Sequence, residues 1–154
     1  MNDLPWERAR SAFRADGSLR DIYVHDVTVS QWQAVIVALR AKYPSSFSVA
    51  GSEAPFPPSV AALFERGAPS AAMLSLDIGG IDMACHFFAA DEIEFDLMPD
   101  DVSDSVRFIA LIEFMRVVAQ SSGRTAELTE ENQRGRVLLR ATSRGVVEHV
   151  AATP

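Results

Sequence analysis

One cysteine, one lysine and three histidines are all that the 154-residue sequence holds of those types. A lone Cys85 excludes an intramolecular disulfide and leaves any zinc site to His and carboxylates. No two histidines stand at ligand spacing, and neither an H-E-x-x-H nor a D-x-D-x-D-G pattern occurs, so no metal and no cofactor is expected. A G-x-S-x-G elbow, a P-loop and a dinucleotide glycine fingerprint are also missing. The longest apolar segment, Phe108 to Ala119, is broken by Glu113 and Arg116 and falls short of the ~20 residues of a membrane span. Met1 to Arg10 contains Asp3, Pro5, Glu7, Arg8 and Arg10 where a secretory signal needs an apolar run of about 7 to 15 residues. These absences point to the cytoplasm and away from a membrane.

The most telling absence is local. From Gly67 to Val106 there is no Lys or Arg, yet that stretch holds nine of the 21 acids: Asp77, Asp82, Asp91, Glu92, Glu94, Asp96, Asp100, Asp101 and Asp104. Elsewhere 12 acids face 14 bases, so the net charge of -7 belongs to one section of the chain. Nucleic-acid binders usually carry a basic footprint, which makes that partner class a poor fit. With 48% hydrophobic and 23% charged residues the composition is that of a globular protein, and the length suits one domain over residues 1–154.

Periodicity predicts an α+β domain. A short helix is expected around Trp6 to Arg14, with Trp6 and Phe13 on one face, then a strand from Leu19 to Val27. Ser30 and Gln33 resemble a capping box for a helix from Ser30 to Lys42 that Pro44 stops. After a Pro-, Ser- and Gly-rich loop with a short strand at Phe47 to Val49, a helix spans Pro58 to Arg66 and ends at Gly67. Ala71 to Ile78, Ile81 to Phe88 and Glu92 to Met98 alternate as three antiparallel strands. A long helix from Asp101 or Ser103 to Ser121 is apolar on most sides, as expected of a core helix covering the meander or one docked to a second copy. A strand near Thr125 to Thr129 and a hairpin from Val137 to Ala151 close the chain.

Gly79-Gly80 is a two-residue hairpin signal, because primed turns need positive φ. It sets Ile78 opposite Ile81, Leu76 opposite Met83, Leu74 opposite Cys85, and Asp77 opposite Asp82. Keeping the apolar set on one face then pairs 87 with 93, 85 with 95 and 83 with 97, which puts His86 opposite Glu94. Asp77, Asp82, Glu92, Glu94 and Asp96 emerge on the other face with His86, and Phe88 is exposed beside Glu92 unless another element covers it. Polar faces are normal for such sheets, but directly opposed like charges are destabilising, so something positive is expected near Asp77 and Asp82. Candidates are one of the 13 arginines of this chain, a divalent cation, or a basic partner; Arg136 or Arg140 of the C-terminal hairpin could also fold over the acids of this face and neutralise them.

Cys85 and His86 are adjacent in a strand and point to opposite faces, which argues against a Cys-His catalytic pair; His25 and Asp26 are divided in the same way. Glu94 and Asp96 have the chemistry of a general acid and base, but the sequence shows no cleft to put them to that use. The reading that remains is a partner-binding face of Asp77, Asp82, His86, Phe88, Glu92, Glu94 and Asp96, without catalytic residues. A small carboxylate-based or metal-dependent hydrolase and a homodimeric structural subunit are the alternatives.

The strings Gly17-Ser18-Leu19-Arg20-Asp21-Ile22-Tyr23-Val24, Cys85-His86-Phe87-Phe88, Glu92-Ile93-Glu94-Phe95-Asp96 and Leu128-Thr129-Glu130-Glu131-Asn132, with Trp32, resemble a family of small uncharacterised bacterial proteins. In style they are similar to immunity proteins of polymorphic toxin systems. The resemblance implies a basic protein partner, a toxin, that an acidic face steers and neutralises.

Overall fold

The computed structural model describes residues 4–66 and 71–150. Its centre is a nine-stranded, wholly antiparallel sheet with helices against one side, so the α+β class read from the sequence is correct. In chain order the elements are α1 (Trp6–Ala9), a 3-10 turn (Arg10–Phe13), β1 (Arg20–His25), α2 (Val29–Lys42), β2 (Ser45–Val49), β3 (Ser52–Glu53) and α3 (Val60–Glu65). There follow β4 (Ala72–Ile78), β5 (Ile81–Ala89), β6 (Glu92–Leu97), a 3-10 turn (Pro99–Asp101), α4 (Ser105–Ser122), β7 (Ala126–Glu130), β8 (Val137–Ala141) and β9 (Val147–His149). The strand order is β3-β2-β4-β5-β6-β1-β7-β8-β9. The expected helix stop at Gly67 and the hairpin end at Ala151 lie outside the described residues.

The β4–β5 hairpin has the expected register throughout, from Ile78–Ile81 to Met73–His86 with Asp77 opposite Asp82. Gly79 and Gly80 take φ of 58° and 98°, the left-handed values that a two-residue turn requires. Between β5 and β6 the pairs Met83–Leu97, Ala84–Asp96, Cys85–Phe95 and His86–Glu94 also match. The pairing of 87 with 93 does not: Ala89 pairs with Glu92, so Phe87 and Phe88 together oppose Ile93 in a bulge. A two-residue turn at Ala90-Asp91 sets Ala89 opposite Glu92. One extra residue in β5 is then needed to return the apolar residues to the core side.

That core side is closed by helices. Trp32 of α2 stacks on Phe87 with centroids 5.0 Å apart, and its indole N–H donates to the Ala89 carbonyl at 3.2 Å. Phe114 of α4 meets Phe95 of β6 edge-on at 5.1 Å. Trp6 and Phe13 do share a face, and both pack on Phe108 of α4. The capping box of α2 sits two residues earlier than Ser30 and Gln33: the Thr28 hydroxyl accepts from Gln31 N–H, and the Gln31 side chain accepts from Thr28 N–H. Thr28 wins because it stands just past the end of β1, where extended backbone at ψ 164° already suits an N-cap. On α4, Asp104 caps the start and Gly123, at φ 68°, ends the helix.

Candidate functional site

The side of the sheet away from the helices carries the polar residues, and β1 changes its composition. Because β1 lies between β6 and β7, Asp21 stands opposite Asp96, Tyr23 opposite Glu94 and His25 opposite Glu92. On its other edge Asp21 faces Thr129 and Tyr23 faces Glu127, and Arg140 of β8 continues that row. The expected residues Asp77, Asp82, His86, Phe88, Glu92, Glu94 and Asp96 therefore do share one face. Asp21, Tyr23, His25, Glu127, Arg134 and Arg140 join them, and local sequence patterns gave no sign of that.

This face has two halves that differ in charge balance. Toward the β1–β7–β8 half Glu92, Glu127 and Glu148 each meet a cation, whereas Asp21 is held by neutral donors. Arg134, from the β7–β8 loop, grips Glu92 with Nη2 at 2.7 Å from one oxygen and Nε at 3.1 Å from the other, and its guanidinium lies 4.5 Å from the Tyr23 ring centroid. His25 stands between Glu92 and Glu127, at 3.0 and 3.5 Å. Arg140 pairs with Glu127 at 2.9 Å and Glu148 at 3.5 Å; Arg136 pairs with Glu130 at 2.7 Å, but Glu130 stands opposite Arg20 and has the parity of the helix side. The expectation that Arg136 or Arg140 neutralises the meander acids is not met: they pair with Glu130, Glu127 and Glu148 instead. At the meander it is Arg134 that reaches an acid, and that acid is Glu92.

The loop that carries Arg134 also lies on this face. Asn132 N–H donates to Asp21 at 2.7 Å, and the Tyr23 hydroxyl donates to the same carboxylate at 3.0 Å. Asp21 and Tyr23 are thereby buried, as is Thr129 opposite Asp21. Burial pushes the Asp21 carboxyl above its ordinary range, opposed by the bonds from Asn132 and Tyr23.

On the β4–β5–β6 half Asp77 and Asp82 are exposed, Glu94 is half-buried and Asp96 is bonded to His86. Among the described residues Asp77, Asp82 and Glu94 have no ion pair; Asp77 only caps its own turn by accepting Gly80 N–H at 2.9 Å. Burial and the neighbouring Asp21 raise the Glu94 carboxyl above the ordinary range, whereas the Arg134 hydrogen bond lowers that of Glu92. Phe88 is 51% exposed and no element among the described residues covers it; its ring lies flat on His86, 4.8 Å between centroids.

His86 Nε2 sits 2.5 Å from Asp96. That hydrogen bond, with charge from Asp96, Glu94 and Asp21, raises the imidazole pKa above its ordinary value, against the opposing effect of burial. A folded pKa above the unfolded one stabilises the protein fully below the unfolded value, and that contribution is lost as pH rises through the folded value. An NMR titration of the His86 ring is expected to show the raised value, and Asp96→Asn should bring it down. A His86 pKa below the ordinary ~6.5 in the unmodified protein would contradict this placement.

Chemically the face offers carboxylates, one imidazole and an aromatic ring on a shallow surface. Cys85 is fully buried in the core, which raises its thiol pKa and removes it from His86. Among the described residues no group of His, Cys, Asp and Glu is arranged to hold a metal ion, and no helix is long and apolar enough to cross a membrane. Compared with models of protein families, with curated proteins and with solved structures, the chain matches none.

Proposed function

We propose that this chain is a non-catalytic protein-binding domain that docks a basic protein partner on the β4–β5–β6 half of its open sheet face. The observation that carries this reading is the contrast between the two halves. Arginines pair with Glu92, Glu127 and Glu148, but among the described residues no ion pair reaches Asp77, Asp82 or Glu94; Arg107, beside the Gly79-Gly80 turn, donates to the carbonyls of Gly80 and Asp101 instead, and Arg134 acts on Glu94 only through space. Beside them Phe88 presents an uncovered ring, the kind of aromatic anchor that carries binding energy in protein interfaces. An immunity protein that neutralises a basic toxin in the cytoplasm fits this arrangement, since complementary charge speeds association and selects the partner.

The test is binding to the product of the neighbouring reading frame, followed by interferometry across a range of salt. Asp82→Arg and Glu94→Arg are each expected to weaken binding about tenfold, mainly through slower association, and added salt should act in the same direction. Affinity indifferent to both reversals and to salt would sink the proposal. A second reading, a homodimeric subunit, draws on Val106 and Ile109 of α4, which are 74% and 65% exposed. A monomer in sedimentation equilibrium at all concentrations would remove it.

A further inference from the structure

The open face already holds one guanidinium, and its seat has a definite composition. Arg134 takes a carboxylate of β6, Glu92, with two of its nitrogens while lying over an aromatic ring of the adjacent strand, Tyr23 of β1. Two residues further along β6, on the same face, the ingredients recur. Glu94 is a half-buried carboxylate with no hydrogen bond or ion pair among the described residues, and the strand on its other side, β5, presents the stacked pair His86 and Phe88.

We propose that Glu94 and Phe88 form a second arginine seat, filled by a guanidinium from the docked partner. The inference rests on the docking reading above and makes it specific: the partner offers arginine, not lysine, at this point. Alternation along β5 keeps Phe87 in the core and turns Phe88 outward, and the bulge sets the two together opposite Ile93, with Phe88 half exposed at the edge of the acidic strip. A planar guanidinium can bond a carboxylate through two N–H groups and stack on an aromatic face at once, whereas an ammonium offers only a compact, strongly hydrated charge. Burial first, then Asp21, makes ionised Glu94 costly, a cost that Arg134 and His86 only partly relieve and that an arriving cation offsets further.

The experiment uses the full chain, isotope-labelled, titrated with an oligo-arginine and an oligo-lysine peptide of equal length, in the unmodified protein and in Glu94→Gln, Phe88→Leu and Asp82→Arg. Both single-seat changes are mild: glutamine is isosteric with glutamate, and Phe88 lies outside the core. The arginine peptide is expected to bind on the order of fivefold tighter than the lysine peptide and to shift the Glu94 carboxyl and Phe88 ring signals. Glu94→Gln and Phe88→Leu should each bring the two peptides level. Equal affinities in the unmodified protein, with Asp82→Arg weakening both peptides, would overturn the seat and leave the docking face standing. An arginine preference that survives Glu94→Gln and Phe88→Leu overturns the seat as well. If neither peptide binds, or Asp82→Arg changes nothing, the docking reading falls with it.

Discussion

Replacing Phe114 with alanine is expected to cost the protein about 3–5 kcal/mol, a large part of the 5–15 kcal/mol typical of a domain. Phe114 is fully buried, set edge-on against Phe95 at 5.1 Å and tilted against Tyr43 at 6.0 Å. It therefore joins α4 both to the middle of the sheet and to the end of α2. Truncation removes the transfer free energy of a benzyl group and leaves a cavity that three rigid elements cannot close. Chemical denaturation should show the midpoint falling sharply with an unchanged slope. Val37→Ala on the solvent side of α2, where the side chain is 57% exposed, should stay within about 0.5 kcal/mol. Comparable losses at both positions would mean that α4 does not pack on the sheet as described.

The meander around this contact was legible for a local reason. Gly79-Gly80 fixes one hairpin, and strict alternation of apolar residues allows only one face to be buried, so pairs from Ile78–Ile81 to Met83–Leu97 follow from neighbours in sequence. The bulge at Phe87-Phe88 escaped that logic, because alternation counts residues and a bulge adds one. The turn length, Ala90-Asp91, was the available signal: with Ala89 opposite Glu92, the apolar parities agree only if a residue is inserted. The position of β1 was not legible at all. It comes before the meander and α2 in sequence yet inserts between β6 and β7, and nothing local encodes such a distant pairing.

That one insertion decides the composition of the candidate site. It brings Asp21, Tyr23 and His25 beside Asp96, Glu94 and Glu92, and it gives the β7–β8 loop a ledge to fold over. The acid-rich stretch from Gly67 to Val106 was visible as charge along the sequence. Which of its acids stay unpaired depended on where arginines more than forty residues away in sequence fall. Arg134 rather than Arg136 or Arg140 reaches the meander, because Asn132, with φ 56°, bends the loop back over β1 and anchors it on Asp21.

Arg20 was overlooked, although its pattern was readable: it shares the parity of Ile22 and Val24, so a charge in β1 points toward the core side. There it is 3% exposed, with Nε donating to Ala12 O at 2.7 Å, and Nη1 and Nη2 donating to Leu19 O at 3.0 Å and Arg14 O at 3.2 Å. It also reaches Ser18 Oγ at 3.0 Å and Asp16 at 3.2 Å, so one guanidinium ties the whole N-terminal segment to the sheet. Arg20→Ala should therefore cost about 3 kcal/mol, from lost charge-assisted bonds and buried carbonyls left without donors. Arg20→Lys should recover less than half of that loss, since one ammonium cannot serve the carbonyls of Ala12, Arg14 and Leu19 together. Asp16 supplies an independent readout. The Ser18 hydroxyl first, then Arg20, hold its carboxyl far below the ordinary carboxylate range. A depressed folded pKa stabilises above the unfolded value, and that contribution is lost as pH falls through the folded one, so any gain from Asp16 is spent only in strong acid. In Arg20→Ala the Asp16 pKa should rise yet stay low, because the Ser18 bond at 2.6 Å remains. Full stability in Arg20→Ala, or an Asp16 titration that does not move, would show that the segment before β1 is held by Trp6 and Phe13 alone.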